Sequence, residues 1–331
     1  MTRFDRLLRP RSIAVVGGGT WGENVIRECG KFGESGDLWA VHPTRRDVAG
    51  CPAVAALEDL PRAPDAVFVG VNRDRTLDVV RGLRAMGAGG AVCFASGFRE
   101  AAEELGGAEA LQDALIEAAG EMPILGPNCY GLINALDKSV LWPDQHGLMT
   151  VERGVAILSQ SSNIALNLTM QQRGLPIAYL VTVGNQAQTG LSDIGAALLE
   201  DDRVTAIGLH IEGIGDLATF ESFALKAWAA GKPVIVLKVG KSAKARAATV
   251  SHTASLAGSM AGATALFARL GMAQVSSPSV MLETLKILHI SGPLPSPRIA
   301  SMSCSGGEAS LIADTAADRR IDFPPLTNAQ T

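Results

Sequence analysis

Three glycines near the start of the chain have the spacing of a turn that holds a phosphate group. Gly17, Gly19 and Gly22 follow a short apolar run and open a helix-like stretch. Glycines in this arrangement let the backbone approach a pyrophosphate, which lies at the positive N-terminus of the helix. The turn and the residues Thr20 and Trp21 within it therefore predict a site for a nucleotide-like ligand.

The residues after the second predicted strand narrow the choice of nucleotide. An NAD site needs an acidic side chain about 20 residues after the glycines, where it binds the ribose hydroxyls. This chain instead reads Val41-His42-Pro43-Thr44-Arg45-Arg46. Without a carboxylate and with two arginines, the segment favours a phosphorylated ribose, as in NADP or in the 3′-phospho-ADP part of CoA. The alternative is a plain glycine turn beside solvated arginines.

A second turn of small polar residues, Ser159-Gln160-Ser161-Ser162-Asn163, lies between a predicted strand and a predicted helix. Hydroxyl groups and free amides at a helix start can cap the helix or hold an anion. Capping needs only one such residue, so three serines and an asparagine in five positions favour an anion site. Ser305-Gly306-Gly307 is a third turn of this kind, with a weaker signal.

Of the five histidines, His252 has the surroundings most suited to chemistry. It lies in the segment Thr249-Val250-Ser251-His252-Thr253-Ala254-Ser255-Leu256-Ala257-Gly258, whose small and hydroxylated residues let an anionic group approach and bind. Glu212 follows the predicted strand Ala206–Ile211. Ligand groups in doubly wound sheets collect at the carboxyl ends of strands, which favours a role for Glu212 in a site. A helix-capping or solvated carboxylate is the alternative.

Short apolar runs separated by helix-like stretches position these residues. The runs Ile13–Val16, Leu38–Val41, Ala66–Val71, Gly90–Phe94 and Pro123–Leu125 come first, and Val155–Leu158, Ile177–Val183, Ala206–Ile211 and Val234–Leu237 form a second series. Fully apolar short strands that alternate with helices predict parallel sheets covered on both faces. The fold class is therefore α/β, with a Rossmann-like first domain and a second α/β domain.

Domain boundaries follow from length and from breaks in the periodicity. A chain of 331 residues has about the length of two domains. We expect the first over residues 1–140, the second over 152–290 and an incomplete third unit over 298–331, after the linker Ser291-Gly-Pro-Leu-Pro-Ser-Pro297. In the third unit Arg298–Ser303 is expected as a strand and Glu308–Asp318 as a helix. These cannot close a sheet, so we expect that other residues complete the unit or that the chain is a piece of a longer protein.

Composition and charge argue against several classes of function. Apolar residues make up 47% of the chain and charged residues 19%, which is typical of a compact globular protein. A net charge of −4 without a dense block of Lys or Arg argues against a nucleic-acid partner. The five cysteines are scattered and include no C-x-x-C pair, which argues against a disulfide framework and a zinc site. Without a signal peptide or a run of about 18 apolar residues, we expect a soluble, cytoplasmic protein.

Several motifs in one order carry a resemblance over nearly the whole chain. They are Ser12–Gly17, Val41-His42-Pro43, Ser96-Gly97-Phe98, Gly126-Pro127-Asn128-Cys129, Ser159-Gln160-Ser161, Val183-Gly184-Asn185, Ile211-Glu212-Gly213-Ile214 and the segment around His252. On these motifs the chain resembles the nucleotide-diphosphate-forming acyl-CoA synthetases, such as ADP-forming acetyl-CoA synthetase. More distantly it is similar to the alpha subunit of succinyl-CoA synthetase, which implies a flavodoxin-like second domain.

The resemblance implies a role for each matching residue. It implies that the first domain binds CoA through Gly17, Gly19, Gly22, Ser96, Gly97, Phe98 and Asn128. We expect further cofactor-binding residues at Thr20, Trp21, His42, Arg45, Arg46 and Asn72. The resemblance further implies that Ser159, Gln160, Ser161, Ser162 and Asn163 hold a phosphate, that His252 carries the phosphoryl group and that Glu212 steadies it. The implied reaction forms acyl-CoA from a carboxylic acid, CoA and ATP through an acyl phosphate and a phosphohistidine, and releases ADP and phosphate.

Three positions depart from the usual pattern of that family. Ser162 stands where Gly is common, Ala254 replaces a Gly, and His42 replaces an Asn. The first two lie beside the implied phosphate and acyl sites, so the identity of the acid stays open. The resemblance also implies an ATP-grasp domain or subunit that binds ATP or ADP and Mg²⁺. We expect it outside this chain, together with a homo- or hetero-oligomer and no metal ligands here.

Two other functions stay open at this point. An NADP-dependent oxidoreductase fits the glycine turn and Arg45-Arg46, but it leaves His252 and the second domain unexplained. A non-catalytic, CoA-binding regulatory protein would be favoured if His252 could be replaced without loss of function in the cell.

Overall fold

The computed structural model describes residues 2–33, 36–240, 242, 260–317, 319 and 321–329. They divide into two compact units, residues 1–289 and residues 290–331. His252 lies outside the described residues, as does the rest of its segment. The predicted α/β class is confirmed, because the described residues of the first unit form two mainly parallel sheets with helices between their strands.

The first sheet has the strand order of a Rossmann-type fold. Its strands are β1 (Ser12–Val16), β2 (Asp37–Val41), β3 (Asp47–Val48), β4 (Cys51–Val54), β5 (Ala66–Val69), β6 (Ala91–Cys93) and β7 (Ile124–Leu125), and its helices are α1 (Asp5–Leu8), α2 (Thr20–Lys31), α3 (Arg73–Ala85) and α4 (Ala108–Ala119). The order across the sheet is β3-β4-β2-β1-β5-β6-β7, and only β3 is antiparallel to its neighbour. The order reverses between β1 and β5, where folds of this kind bind ligands.

Successive side chains of β1 enter two different hydrophobic cores, because they point to opposite faces of the sheet. Ala14 and Val16 belong to a smaller core with apolar residues of α3 and α4. Ile13 and Val15 belong to a larger core that continues into the second sheet. The two sheets of the first unit therefore share buried apolar surface, which holds their strand ends in a fixed relation.

The second sheet has a flavodoxin-like order in its parallel part. Its strands are β8 (Leu132–Asn134), β9 (Ser139–Leu141), β10 (Gly154–Ser159), β11 (Ile177–Thr182), β12 (Val204–Ile211), β13 (Val234–Lys238) and β14 (Ala273–Gln274), and its helices are α5 (Ser162–Thr169), α6 (Leu191–Leu198), α7 (Leu217–Ala229), α8 (Met260–Arg269) and α9 (Pro278–Ser291). The order is β14-β13-β12-β10-β11-β8-β9. Its switch point lies between β10 and β12.

Strands β8 and β9 extend the second sheet from the chain segment that joins the two halves. Ser139–Leu141, where the apolar periodicity of the sequence lapses, forms β9, which is antiparallel to β8, and β8 is antiparallel to β11. Each strand is three residues long, so neither shows the length or periodicity of a typical strand. Strand β8 lies inside the predicted first domain, residues 1–140, and β9 crosses the end of that domain. The predicted domain boundaries stay a prediction.

The unit of residues 290–331 contains helix α10 (Gly306–Ala317), close to the predicted helix Glu308–Asp318. The predicted strand Arg298–Ser303 is wrong. Within the described part of this unit, Arg298 makes a single parallel bridge with Asp322 and no strand forms. A strand needs a neighbour along its length to satisfy its backbone groups, and among the described residues the pairing does not extend beyond this bridge. In the part of the chain that is described, no helix is long and apolar enough to cross a membrane.

Candidate functional site

A cleft of about 660 Å³ lies at the carboxyl ends of strands from both sheets. Its lining includes residues that follow β5, β6, β10, β11 and β12, and it consists of Trp21, Gly70, Val71, Asn72, Arg73, Phe94, Ala95, Ser96, Asn128, Cys129, Tyr130, Gln160, Ser161, Ser162, Asn163, Gly184, Asn185 and Glu212. Strands β5, β10 and β12 border the two switch points. Both switch points therefore open onto this cleft.

The cleft brings together nine of the 19 described site residues that the sequence predicts. Trp21, Asn72, Ser96, Asn128, Gln160, Ser161, Ser162, Asn163 and Glu212 line it. The predicted residues Gly17, Gly19, Thr20, Gly22, His42, Arg45, Arg46, Gly97, Phe98 and Ser159 do not. Arg73, Phe94 and Tyr130 line the cleft but are missed by the sequence reasoning. Arg73 could have been found, because it follows a predicted strand beside the first switch point.

The glycine turn after β1 has the geometry expected of a phosphate-binding turn. Gly17 has a φ of +110°, and a Cβ there would lie 2.7 Å from the carbonyl oxygen of Gly70. A Cβ on Gly22 would overlap the carbonyl oxygen of Gly17. A Cβ on Gly19 would meet nothing within 4 Å, and Gly19 starts α2 without a side-chain cap. Packing requires glycine at positions 17 and 22. Gly19, in contrast, leaves open space and free helix amides for a ligand.

His42 and Arg45 lie beside this turn, and both have partners within the protein. The His42 ring lies against Gly18, which the sequence reasoning did not single out, and its Nδ1 accepts a hydrogen bond from the Arg45 amide at 3.0 Å. The Arg45 guanidinium donates to Glu23 at 2.8 Å, and this bond lowers the pKa of the Glu23 carboxyl. A phosphate at this position would compete with Glu23 for Arg45.

The Ser96-Gly97-Phe98 segment contributes unequally to the cleft. Ser96 is exposed in the lining, whereas Phe98 is fully buried in the smaller core. Glu100 accepts a hydrogen bond from the Gly97 amide at 2.6 Å, and its other carboxylate oxygen accepts one from the Asn185 side chain after β11. Glu100 therefore joins this segment of the first sheet to a turn of the second. The role of Glu100 was not predicted, because Glu100 and Asn185 are far apart in sequence.

The serines of the turn after β10 all have structural partners. Ser161 caps α5, since its Oγ accepts from the Ile164 amide at 3.3 Å. Ser159 is buried and donates to the Ser161 carbonyl at 2.7 Å. The Ser162 Oγ accepts from the Tyr130 amide at 3.0 Å, which links α5 to the segment after the first sheet. An anion in this part of the cleft would lie at an N-terminus whose dipole favours negative charge.

Gln160 ties the turn after β10 to the turn after β12. Its side-chain carbonyl accepts hydrogen bonds from the amides of Glu212 and Gly213, the latter at 2.9 Å, and its amide donates to the Gly213 carbonyl at 2.6 Å. Gln160 is buried, so these bonds are shielded from water. The side chain predicted to hold phosphate is thus engaged in fixing the backbone at Glu212, which lines the cleft.

Lys238 at the end of β13 holds the same turn from the other side. Its ammonium donates to the Glu212 carbonyl at 2.8 Å and to the Val239 carbonyl at 2.6 Å. Burial lowers the pKa of Lys238, and the nearby Glu212 carboxylate acts in the opposite direction. In the sequence, Lys238 is only the first residue of a basic stretch. Its hydrogen bond to the distant Glu212 carbonyl could not be predicted, because the tertiary fold brings the two residues together.

Two thiols near the cleft are poor nucleophiles. Cys129 lines the cleft but is buried, and burial raises the pKa of its thiol far above the ordinary value. Burial raises the pKa of Cys93 to about 12. Since the thiolate is the reactive form, neither side chain is suited to covalent chemistry at neutral pH. Across the described ranges, no group of three or more His, Cys, Asp or Glu residues could hold a metal ion.

Comparison with known proteins assigns both halves of the first unit. Residues 11–135 match the family described as CoA binding domain, and residues 152–288 match the succinyl-CoA ligase like flavodoxin domain. The chain is 32% identical over 330 residues to a trans-feruloyl-CoA synthase of an unknown prokaryotic organism, covering 97% of this chain and 46% of that protein. It is 30% identical to the alpha subunit of the ADP-forming acetate–CoA ligase II of Pyrococcus furiosus, covering 98% of this chain and 70% of that subunit.

A solved structure is similar to most of the chain. The dinucleotide forming acetyl-coenzyme A synthetase 1 of Ca. Korarchaeum cryptofilum, in complex with phosphate and ADP, superposes with a TM-score of 0.86 at 27% identity. The match covers 97% of this chain and 70% of that one. The chain spans about half the length of the first curated relatives that it matches, with coverages of 46% and 45%.

Proposed function

Because the chain belongs to the family of ADP-forming acyl-CoA synthetases, we propose that it is the part of such an enzyme that binds CoA and carries the phosphoryl group. The overall reaction joins a carboxylic acid to the thiol of CoA and converts ATP to ADP and phosphate. The observation that carries this proposal is the cleft onto which both switch points open. One cleft can then receive a CoA thiol from the first sheet and a phosphoryl group from the second.

Phosphoryl transfer through His252 splits one difficult ligation into easier steps. An imidazole nitrogen of His252 attacks the terminal phosphorus of ATP, a P–N bond forms and ADP leaves. A carboxylate oxygen of the acid then attacks that phosphorus, the P–N bond breaks and an acyl phosphate forms. The CoA sulfur attacks the acyl carbon, a C–S bond forms and phosphate leaves with the C–O bond's electron pair. The thiol proton passes to solvent or phosphate.

Residues of the cleft and of the glycine turn beside it support these steps by binding and orientation. In the proposal, the glycine turn with Gly19 holds the CoA pyrophosphate, and the start of α5 at Ser161 and Ser162 holds the phosphate being transferred. The Glu212 carboxylate accepts a hydrogen bond from the second ring nitrogen of His252. Such a partner fixes the tautomer of the ring and stabilises the phosphorylated form.

The remaining parts of the reaction lie on other residues. We propose that an ATP-grasp domain or subunit supplies the site for ATP and Mg²⁺, and that the working enzyme is an oligomer. The donor groups of the described residues do not fit a metal site, so no step is assigned to a metal here. We place the enzyme in the cytoplasm, since the scattered cysteines suit a reducing compartment.

Calorimetry with CoA, NADP and NAD tests the ligand of the first sheet. We expect CoA to bind and the two dinucleotides to bind far more weakly. Gly19→Val should abolish CoA binding, because the new side chain occupies the open space where the pyrophosphate approaches. The fold should stay intact in this variant, since a Cβ at Gly19 meets no other atom within 4 Å.

Gly106→Val is the matched control, because Gly106 is exposed in a loop away from the cleft and a Cβ there also meets nothing within 4 Å. It should leave CoA affinity unchanged. Tight binding of NADP without detectable binding of CoA would contradict the proposal and favour an oxidoreductase.

A further inference from the structure

Three aromatic rings stand together in the lining of the cleft. The Trp21 ring lies 5.1 Å from that of Phe94 and 6.4 Å from that of Tyr130, and Phe94 and Tyr130 are 6.0 Å apart. All three residues line the cleft. We call Trp21, Phe94 and Tyr130 the aromatic wall.

The aromatic wall is supported from behind and exposed in front. Phe94 packs on the fully buried Phe68 at 5.6 Å, and Tyr130 packs edge-on against the fully buried Trp142 at 5.2 Å. Trp21, in contrast, is 43% exposed. A tryptophan whose ring is exposed on a cleft leaves apolar surface that a ligand can cover with a favourable free energy. Because its neighbours fix the ring, little conformational entropy is lost on binding.

The aromatic wall adjoins both the glycine turn and the start of α5. Trp21 is in the first turn of α2, two residues after Gly19, where the proposal places the CoA pyrophosphate. The backbone amide of Tyr130 donates to Ser162 at the start of α5, where the proposal places the phosphate. The acyl carbon of an acyl phosphate is joined to phosphorus through a single oxygen, so its substituent begins close to the phosphate. In the proposal that substituent therefore lies beside Tyr130 and the rings that pack with it.

We propose that the acid substrate is an aromatic carboxylic acid, whose ring packs against Trp21, Phe94 and Tyr130. This inference rests on the proposed function and names the substrate class for it. Aromatic rings prefer tilted or edge-to-face partners at centroid distances of about 4.5–7 Å, and the tilted rings of the wall can receive a further ring in that way. The methyl group of acetate would leave most of the wall in contact with water.

Calorimetry on this chain with CoA, acetyl-CoA and 3-phenylpropanoyl-CoA tests the inference without the rest of the enzyme. The phenylpropanoyl thioester should bind at least about tenfold more tightly than acetyl-CoA, which is the factor expected for covering one aromatic ring. The ratio of the two affinities is the readout, because contributions of the CoA part cancel in it. Trp21→Leu and Phe94→Leu should each reduce this ratio toward one.

Trp228→Leu is the matched control, because Trp228 is 78% exposed on α7 and does not line the cleft. It should leave the ratio unchanged. If CoA binds but the aromatic thioester binds no more tightly than acetyl-CoA, the inference is wrong and the proposed function stands. If none of the three ligands binds, the proposed function itself is contradicted. If both cleft variants weaken all three ligands equally, the wall binds CoA and not the acyl group, which also overturns the inference.

Discussion

His210 and Glu212 are two residues apart, but their surroundings give them different roles. His210 is buried in β12, and its Nδ1 lies 3.1 Å from the Ser159 hydroxyl. That hydroxyl donates to the Ser161 carbonyl, so Nδ1 is the donor to Ser159. The ring of His210 does not line the cleft, so a phosphoryl donor bound there would not meet it. Glu212, in contrast, lines the cleft. The buried position of His210 and the position of Glu212 in the cleft both support His252, and not His210, as the proposed carrier of the phosphoryl group.

The burial of His210 predicts an acid-dependent loss of stability. Burial, and secondly the charge of Lys238, lower the pKa of His210 from 6.5 to about 4. Below pH 6.5 the unfolded chain binds a proton that the folded chain does not, so stability is present above that pH and is lost as the pH falls toward 4. We expect His210 to account for about 1–2 kcal/mol of lost unfolding free energy between pH 7 and pH 5.

Urea unfolding of the wild type and of His210→Gln at both pH values measures this contribution. Glutamine can still donate to Ser159 but does not titrate, so the loss between pH 7 and pH 5 should be smaller in the variant. His146, whose pKa burial also lowers to about 4, titrates equally in both proteins and cancels in the comparison. An identical pH dependence in the two proteins would show that His210 does not titrate as its burial requires.

The turns after β10, β12 and β13 form one hydrogen-bonded arrangement around the Glu212 backbone. Gln160 reaches across from β10, and Lys238 reaches across from β13. Neighbouring parallel strands end at the same edge of a sheet, so three turns that are distant in sequence can share their hydrogen bonds. The arrangement fixes the direction in which the Glu212 side chain leaves the backbone.

Removal of the Lys238 ammonium should weaken this arrangement. Lys238→Met leaves the carbonyl groups of Glu212 and Val239 without their donor, and we expect a loss of about 2–3 kcal/mol in the free energy of unfolding. Lys226→Met is the control, because Lys226 is exposed on α7 and its removal should change stability by less than about 0.5 kcal/mol. Denaturant unfolding of both variants makes the comparison. Equal small effects would mean that the two bonds of Lys238 contribute little.

The strands that carry the site could be predicted from the sequence, whereas its internal contacts could not. Nine apolar runs correspond to β1, β2, β5, β6, β7, β10, β11, β12 and β13, because a buried parallel strand is recognisable from its own residues. Strands β3, β4, β8, β9 and β14 are two to four residues long and lack that local signal. The roles of Gln160, Lys238 and Glu100 depend on residues that only the tertiary fold brings near them. Phe98 matched a motif, but its burial follows from packing and not from the motif.

At the scale of the whole molecule, two sheets with different strand orders share one core and one cleft. The Rossmann-type order places the glycine turn at one switch point, and the flavodoxin-like order places Ser161 and Glu212 at the other. Since the chain spans about half the length of its first curated relatives, the complete reaction is proposed for the chain together with an ATP-grasp domain or subunit. The central claim is that His252 carries the phosphoryl group between the ATP-grasp domain or subunit and the cleft of this chain.

Labelling of the complete enzyme with γ-labelled ATP tests that claim most directly. After a short incubation without acid or CoA, we predict an acid-labile, base-stable label that peptide mapping assigns to His252. The label should be absent from His252→Ala and strongly reduced in Glu212→Gln, where the ring keeps a hydrogen-bond partner but loses its charge, while both variants still bind CoA. A label on His210, or full turnover by His252→Ala, would contradict the account.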